Sequence, residues 1–356
     1  MRTFHLAWAI PFTVLSWLFF PAVGQSGTWL VDNPAISIFI DEDDIIHPYL
    51  YVGNGGVRTV RVCIDPTSPL SAEMSPSIQA AIQTFNSLQP STSNYVASSS
   101  EVPLAANDFL SVVLHELLHC IAGIGHVNVS PDVATGLPGL STNSFAGNDG
   151  VFNLGHGADA RYGTSDDPRG DDVNFFWFDR NTNNPFILQP IIDETTYSRE
   201  LPELPPGHLF AADGNFISAD GAGFPDIKPV MERVGFAGTE NRLLAPDDTV
   251  NLRYGMSGID EAAGTSDDYS IIAEFGGVST TGCHVSIRFS SNEPDDFFAG
   301  CTAQAIAIQA GSTHFRLAGT GTIKFNIDKP WHFFGVSVFS DGFETGDFAA
   351  WSVAVP

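Results

Sequence analysis

Basic residues are scarce in this chain. Lys plus Arg number 15 against 41 Asp plus Glu, a formal net charge of −26 over 356 residues. A surface that negative repels phosphate backbones and anionic lipid, which excludes nucleic acid as a partner. Long apolar runs are scarce too. Beyond the first twenty-four residues, no stretch reaches the roughly eighteen consecutive apolar residues that a membrane helix needs. The mature chain is therefore expected to have no membrane span. Cysteine is limited to Cys63, Cys120, Cys283 and Cys301. Four cysteines in a chain of this length do not make a disulfide-scaffolded miniprotein, so the fold must rest on an apolar core.

What is present begins with Arg2, an apolar run from Leu6 to Phe20 interrupted by Pro11, and then Ala22-Val23-Gly24. A charged start, a short apolar stretch and a small-x-small ending read as a signal peptide over 1–24, which implies a secreted, periplasmic or extracellular protein. Removing it takes Arg2 away and leaves the mature chain one unit more negative. Export makes disulfides expected, and four cysteines allow three pairings. Cys283 and Cys301 bracket a strand-rich segment, so a local bridge between them is the first expectation. Cys63 with Cys120 would then pin an N-terminal strand to a helix, the alternative being a free Cys120 packed as a small apolar residue.

Residues 115–126 read His-Glu-Leu-Leu-His-Cys-Ile-Ala-Gly-Ile-Gly-His. On a helix, His115 and His119 lie one turn apart on one face and can reach a single metal ion, with Glu116 beside them. Gly123 can end that helix in a left-handed turn and let His126 return as a third nitrogen donor. The helix predicted over Asn107–Ala122 carries Phe109, Leu110, Val113, Leu114, Leu117, Leu118 and Ile121, so almost its only polar groups are those of the motif. Ionisable groups in such surroundings need a metal or hydrogen bonds. Zn2+ suits three imidazoles, and Glu116 is the candidate catalytic base. His156, in a Leu-Gly-His-Gly loop, competes with His126 for the third position.

Elsewhere the pattern is coarser. Ile36–Ile40 and Val57–Ile64 read as strands, Ser75–Leu88 as a helix stopped by Pro90, and 94–98 as one further strand. Residues 127–229 form a long Gly-, Asp-, Asn- and Pro-rich insertion. Within it Asp159, Asp166, Asp167, Asp171 and Asp172 cluster among glycines. Clustered carboxylates on a turning backbone suit Ca2+, and Asx turns on a solvated loop produce the same composition. Gly-Thr-Ser-Asp-Asp occurs at 163–167 and again at 264–268. After about 258 the sequence alternates: Val285, Ile287 and Phe289, then Ile323, Phe325 and Ile327. This predicts a separate β-rich, sandwich-like domain over 258–340, followed by a tail over 341–356.

The zinc-helix pattern resembles the metzincin metallopeptidases, in which His-Glu-x-x-His-x-x-Gly-x-x-His is followed by a methionine turn. Met231, in Lys-Pro-Val-Met-Glu-Arg, stands at the place of that turn. Leu244-Ala-Pro-Asp-Asp-Thr-Val-Asn-Leu-Arg-Tyr-Gly255 looks like the closing helix of matrixin-type members. The resemblance covers roughly 57–255. It implies an α+β metzincin-like zinc-peptidase domain over 25–257, here with the 127–229 insertion. It also implies a protein or peptide substrate, hydrolysis by zinc-activated water with Glu116 as general base, and a Met231 that packs beneath the ligands. A monomer is expected. The tail, Phe339 to Ser352, resembles a short C-terminal element of secreted proteins from some Gram-negative bacteria.

Four departures accompany the resemblance. One extra residue separates His119 from the glycine, which a π-bulge around Cys120–Ala122 would absorb. The sheet between the two helices is abbreviated. Ala245 stands where a capping Ser or Thr belongs, a loss of roughly 1 kcal/mol. No tyrosine follows Met231 to serve as an extra ligand. Arg61-Val-Cys-Ile-Asp-Pro66 reads as a strand cysteine, not an inhibitory cysteine segment. A secreted binding or surface-associated protein with a structural or vestigial metal is the rival reading, and a zinc peptidase with a glutamate third ligand, Glu194 or Glu200, is a further one.

Overall fold

The computed structural model describes residues 45–90, 101–125, 178–181, 189–198, 230–231, 237–295 and 297–335. Ten strands and three helices are defined among them. Val57–Ile64, rich in β-branched residues, forms most of β2 (Gly56–Ile64), and Val60, Val62 and Ile64 project from one face into the core. The helix predicted from Ser75 begins earlier: α1 spans Ser71–Ser87, with Pro76 inside it and Met74, Ile78, Ala81, Ile82 and Phe85 buried. The helix that carries His115, Glu116 and His119, α2, spans Phe109–Ala122, and the helix expected to close the domain, α3, spans Pro246–Gly255.

The main correction concerns the C-terminal third. Strands β6 (Tyr269–Val278), β7 (Val285–Ser290), β8 (Ala299–Ala307) and β9 (His314–Asn326) do not form a separate sandwich. They join β2 and β1 (Ile45–His47) in one six-stranded sheet, ordered β1-β9-β7-β2-β6 with β8 also on β9. Strand β2 lies between β6 and β7, parallel to both, and only the β8–β9 pair is antiparallel. Alternation in sequence records that one face is buried, and it does so equally in parallel and antiparallel sheets. Here the buried face is covered by helices: α1 packs on β6 and on α2, and α2 packs on β8 and β9. Side chains from β1, β2, β6, β7, β8 and β9 belong to one apolar cluster.

Strands from beyond α3 thus pack on both helices. Strand β9 leads to β10 (Trp331–His332), which pairs with β3 (Asn107–Asp108) directly before α2. Phe109 at the start of α2 packs against Phe289, Phe325, Trp331 and Phe333. The remaining short pair joins β4 (Phe178–Asp179) to β5 (Tyr197–Ser198). No helix among the described residues is long and apolar enough to cross a membrane.

Both expected disulfide pairings are wrong. Cys63 bonds Cys283, tying β2 to the turn before β7, and Cys120 bonds Cys301, tying the end of α2 to β8. The partners are 220 and 181 residues apart. Parallel neighbours from distant parts of the chain defeat any inference from nearness in sequence.

The helix exit differs from expectation as well. Helix α2 stays α-helical through Ala122, with no π-bulge, and Gly123 ends it at φ +67°. Its N–H bonds the His119 carbonyl at 2.9 Å and the Ile124 N–H bonds that of Leu118 at 3.3 Å, the paired closure that a left-handed glycine allows. A Cβ on Gly123 would meet Ile46 at 2.5 Å. Gly123→Ala is expected to cost about 2–4 kcal/mol, combining positive-φ strain with a displaced core side chain, read from urea denaturation.

Candidate metal centre

Asp108 fixes the start of α2. Its carboxylate accepts the Ser111 N–H at 3.1 Å and a two-pronged contact from Arg242, both arms at 2.9 Å. The helix enters the core rigidly, with Asp108 itself buried. His115, Glu116 and His119 then fall in its middle turns, all three buried.

The imidazoles define each other's protonation. His115 Nδ1 lies 2.6 Å from the Val230 carbonyl, and His119 Nδ1 lies 2.5 Å from the Ile124 carbonyl. A carbonyl oxygen only accepts, so each Nδ1 carries a proton, and in the neutral ring Nε2 is then the nitrogen with the lone pair. Those two Nε2 atoms face one another at 3.1 Å. Two lone pairs held that close repel unless a cation lies between them. Zn–N bonds of about 2.0–2.1 Å at tetrahedral angles set two imidazole nitrogens roughly 3.3 Å apart, close to the separation here. Burial, and then the neighbouring His115, hold His119 well below its ordinary pKa, so it is neutral, as a ligand must be.

Val230 and Met231 form a buried turn against this helix. Its carbonyl orients His115, and its two amides donate to Asp248, Val230 N–H to Oδ2 at 2.9 Å and Met231 N–H to Oδ1 at 3.0 Å. Asp248 Oδ2 also accepts the Ala245 N–H at 2.8 Å. The cap that Ala245 lacks is thereby partly replaced from the third position of α3, which revises the expected loss. Burial pushes the Asp248 carboxyl up to about 6 against the pull of these three amides.

Glu116 is wholly buried, and neither carboxylate oxygen closes a hydrogen bond. Desolvation pushes its pKa up to about 8, and the Cys301 amide that faces it pulls the other way. A divalent cation beside the carboxylate would lower that value toward the neutral range where a general base works.

The structure brings together His115, His119, Glu116 and the Met231 turn. His126, His156, Glu200 and the aspartates 159, 166, 167, 171 and 172 lie outside the described residues. Among the described residues, no group of three metal-binding side chains is assembled. Glu194 lies in a turn, 3.4 Å from Tyr254 Oη, and not on a helix facing the imidazoles. The second Gly-Thr-Ser-Asp-Asp uses its carboxylates on its own loop: Asp267 accepts the Ile259 N–H at 2.7 Å and Asp268 that of Gly264 at 2.6 Å. Sequence reasoning passed over Asp248, although its place three residues after the cap of α3 was a usable signal.

A second imidazole pair lies apart from this centre. His47 Nδ1 meets Tyr269 Oη at 3.0 Å, His47 Nε2 meets His314 Nδ1 at 2.9 Å, and His314 Nε2 reaches Glu261 at 3.4 Å. Burial first, and then His314, lower His47 from 6.5 to about 3, with Asp267 opposing. The unfolded chain therefore takes up a proton below pH 6.5 that the native chain refuses until about pH 3. Stability is complete above 6.5 and falls with decreasing pH, by up to about 1.4 kcal/mol per unit from this residue. Asp248, raised from 3.8 to about 6, acts with the opposite sign in its own window. The His47 share is therefore the difference between parent and His47→Asn in urea denaturation at pH 8, 6.5 and 5. Identical pH slopes for the two proteins would refute it.

Compared with known proteins, the chain matches no family model, no curated protein and no solved structure.

Proposed function

We propose that this protein is a secreted, metzincin-like zinc endopeptidase. The observation that carries the reading is the pair of Nε2 atoms facing each other at 3.1 Å, with a carbonyl at the opposite nitrogen of each ring. His115 and His119 would hold zinc, with His126 as third donor. Zinc in such a site supplies a Lewis acid that acidifies water and polarises a peptide carbonyl. Glu116 takes the proton from the attacking water and passes it to the leaving amine. Val230 and Ile124 keep the imidazoles in the ligand tautomer, and Asp248 keeps the Met231 turn in place.

A closed structural zinc site usually draws on cysteine thiolates. All four cysteines here are in disulfides, which supports an open catalytic site over the binding-protein reading. The disulfides also support an oxidising compartment and hence export. In this reading the closing helix precedes most of the sheet in the chain, and β8 and β9 are the strands that pack on α2.

Purified mature protein is expected to contain one zinc per chain, to cleave an unfolded protein substrate, to lose activity to a chelator and to regain it with zinc. His126→Ala should lose the metal while His156→Ala retains it. Mature protein that binds no divalent metal ends the proposal.

A further inference from the structure

We infer that the Cys120–Cys301 disulfide is a positioning element for Glu116: it clamps β8 against the helix stripe that Glu116 and Cys120 share. The inference rests on the peptidase reading above. Residues four apart lie one above the other on a helix, so Glu116 and Cys120 form one stripe, beside the stripe of His115 and His119. Both members of the first stripe meet the same residue. Cys120 is bonded to Cys301, with the two Cα atoms 5.7 Å apart, and the Cys301 backbone amide is the group that faces the Glu116 carboxylate.

Glu116 needs such a support. The Cys301 amide faces its carboxylate without closing a full hydrogen bond, so the orientation of the side chain depends on where β8 holds that amide. Strand β8 is one wall, and it is weakly set at this point. It pairs only with β9 among the described residues, and the ladder shifts register between Thr302 and Gln304, immediately beyond Cys301. The covalent bond fixes what the ladder leaves loose. Cys120 and Cys301 are both buried, which suits a permanent brace and not a bond meant to be opened by reductants.

The test compares the full mature chain with two replacements of the bond, Cys120→Ala with Cys301→Ala and the larger Cys120→Ala with Cys301→Val. Each is made in the parent and in a Glu116→Gln background, and each is assayed well below its melting temperature. In the parent background, kcat is expected to fall about tenfold or more while KM moves less than about twofold and zinc stays at one per chain. In the Glu116→Gln background the same replacements should change the residual rate less than about twofold, because the group they position is already gone. An unchanged kcat, an equal loss in both backgrounds, or collapse and zinc loss in both replacements would each overturn the inference while leaving the peptidase reading intact. A parent chain with no zinc-dependent peptidase activity overturns both.

Discussion

Asp248→Ala is expected to lower the free energy of unfolding by about 3–6 kcal/mol and to weaken zinc binding with it. Three amides, from Val230, Met231 and Ala245, end on this one fully buried carboxylate. Alanine leaves all three donors without an acceptor in a site closed to water, and each stranded donor costs about 1–3 kcal/mol. The parent already bears the cost of burying the carboxylate, as its raised pKa records, which places the net loss toward the lower end. The damage would extend to a metal held by His115, because Val230 is bonded on both sides, its amide to Asp248 and its carbonyl to His115 Nδ1. Once the turn is free to shift, His115 loses the partner that fixes its tautomer and ring plane. Loss of such an outer partner typically weakens metal affinity by about 10–100-fold. Asp248→Asn should fall between the two, since its one carbonyl oxygen can still serve Val230 and Ala245 while its amino group opposes the Met231 N–H. Thermal denaturation and zinc titration of the three proteins check the order. An alanine variant that melts with the parent and binds zinc as tightly removes Asp248 from the site.

The parts legible in the sequence were those whose chemistry is local. His115, Glu116 and His119 follow from one helical turn, and Gly123 follows from the left-handed stop that glycine permits. Strand β2 is marked by its β-branched residues, whereas helix α3 was expected only through the metzincin resemblance. What was misread depends on partners far away in the chain. The alternation through Val285–Phe289 and Ile323–Phe325 is real, but the helices that bury it lie some 200 residues upstream, and β2 inserts among strands that looked like a domain of their own. The cysteine pairing failed for the same reason: Cys63 and Cys283 are neighbours because β2 and β7 are parallel neighbours. The expected π-bulge was an argument about one residue too many. The chain instead ends the helix one residue later, at Gly123, and leaves the extra residue inside it. Asp248 had a local mark, its place three residues after the cap of α3, but its bond to a turn 17 residues away is one that no periodicity announces.

Glu116→Gln should move activity and stability in opposite directions. Glutamine has nearly the same shape but cannot take a proton from water, so kcat is expected to fall by about 10²–10⁴ with zinc content unchanged. Stability should rise in the metal-free protein. Burial lifts Glu116 from 4.5 to about 8, so between those values the native state holds a proton that the unfolded chain releases. A group raised in this way supports folding below pH 4.5 and loses that support as pH climbs through 8. At pH 7 the parent carries a handicap of about 3 kcal/mol that a neutral glutamine escapes, and the gap between the two proteins should vanish near pH 4.5. Urea denaturation of both metal-free proteins from pH 4.5 to 8 reads the difference directly. A residue kept for packing alone would give the stability result without the loss of rate, because the pH dependence follows from burial of the carboxylate and its isosteric replacement leaves the rate alone. An uncharged neighbour of His115 and His119 would fold better, and on the peptidase reading proposed above a chain that retains a buried carboxylate there gives up stability for proton transfer. A Glu116→Gln protein that cleaves peptides as fast as the parent, or that is no more stable at pH 7 without metal, would break that argument at its base.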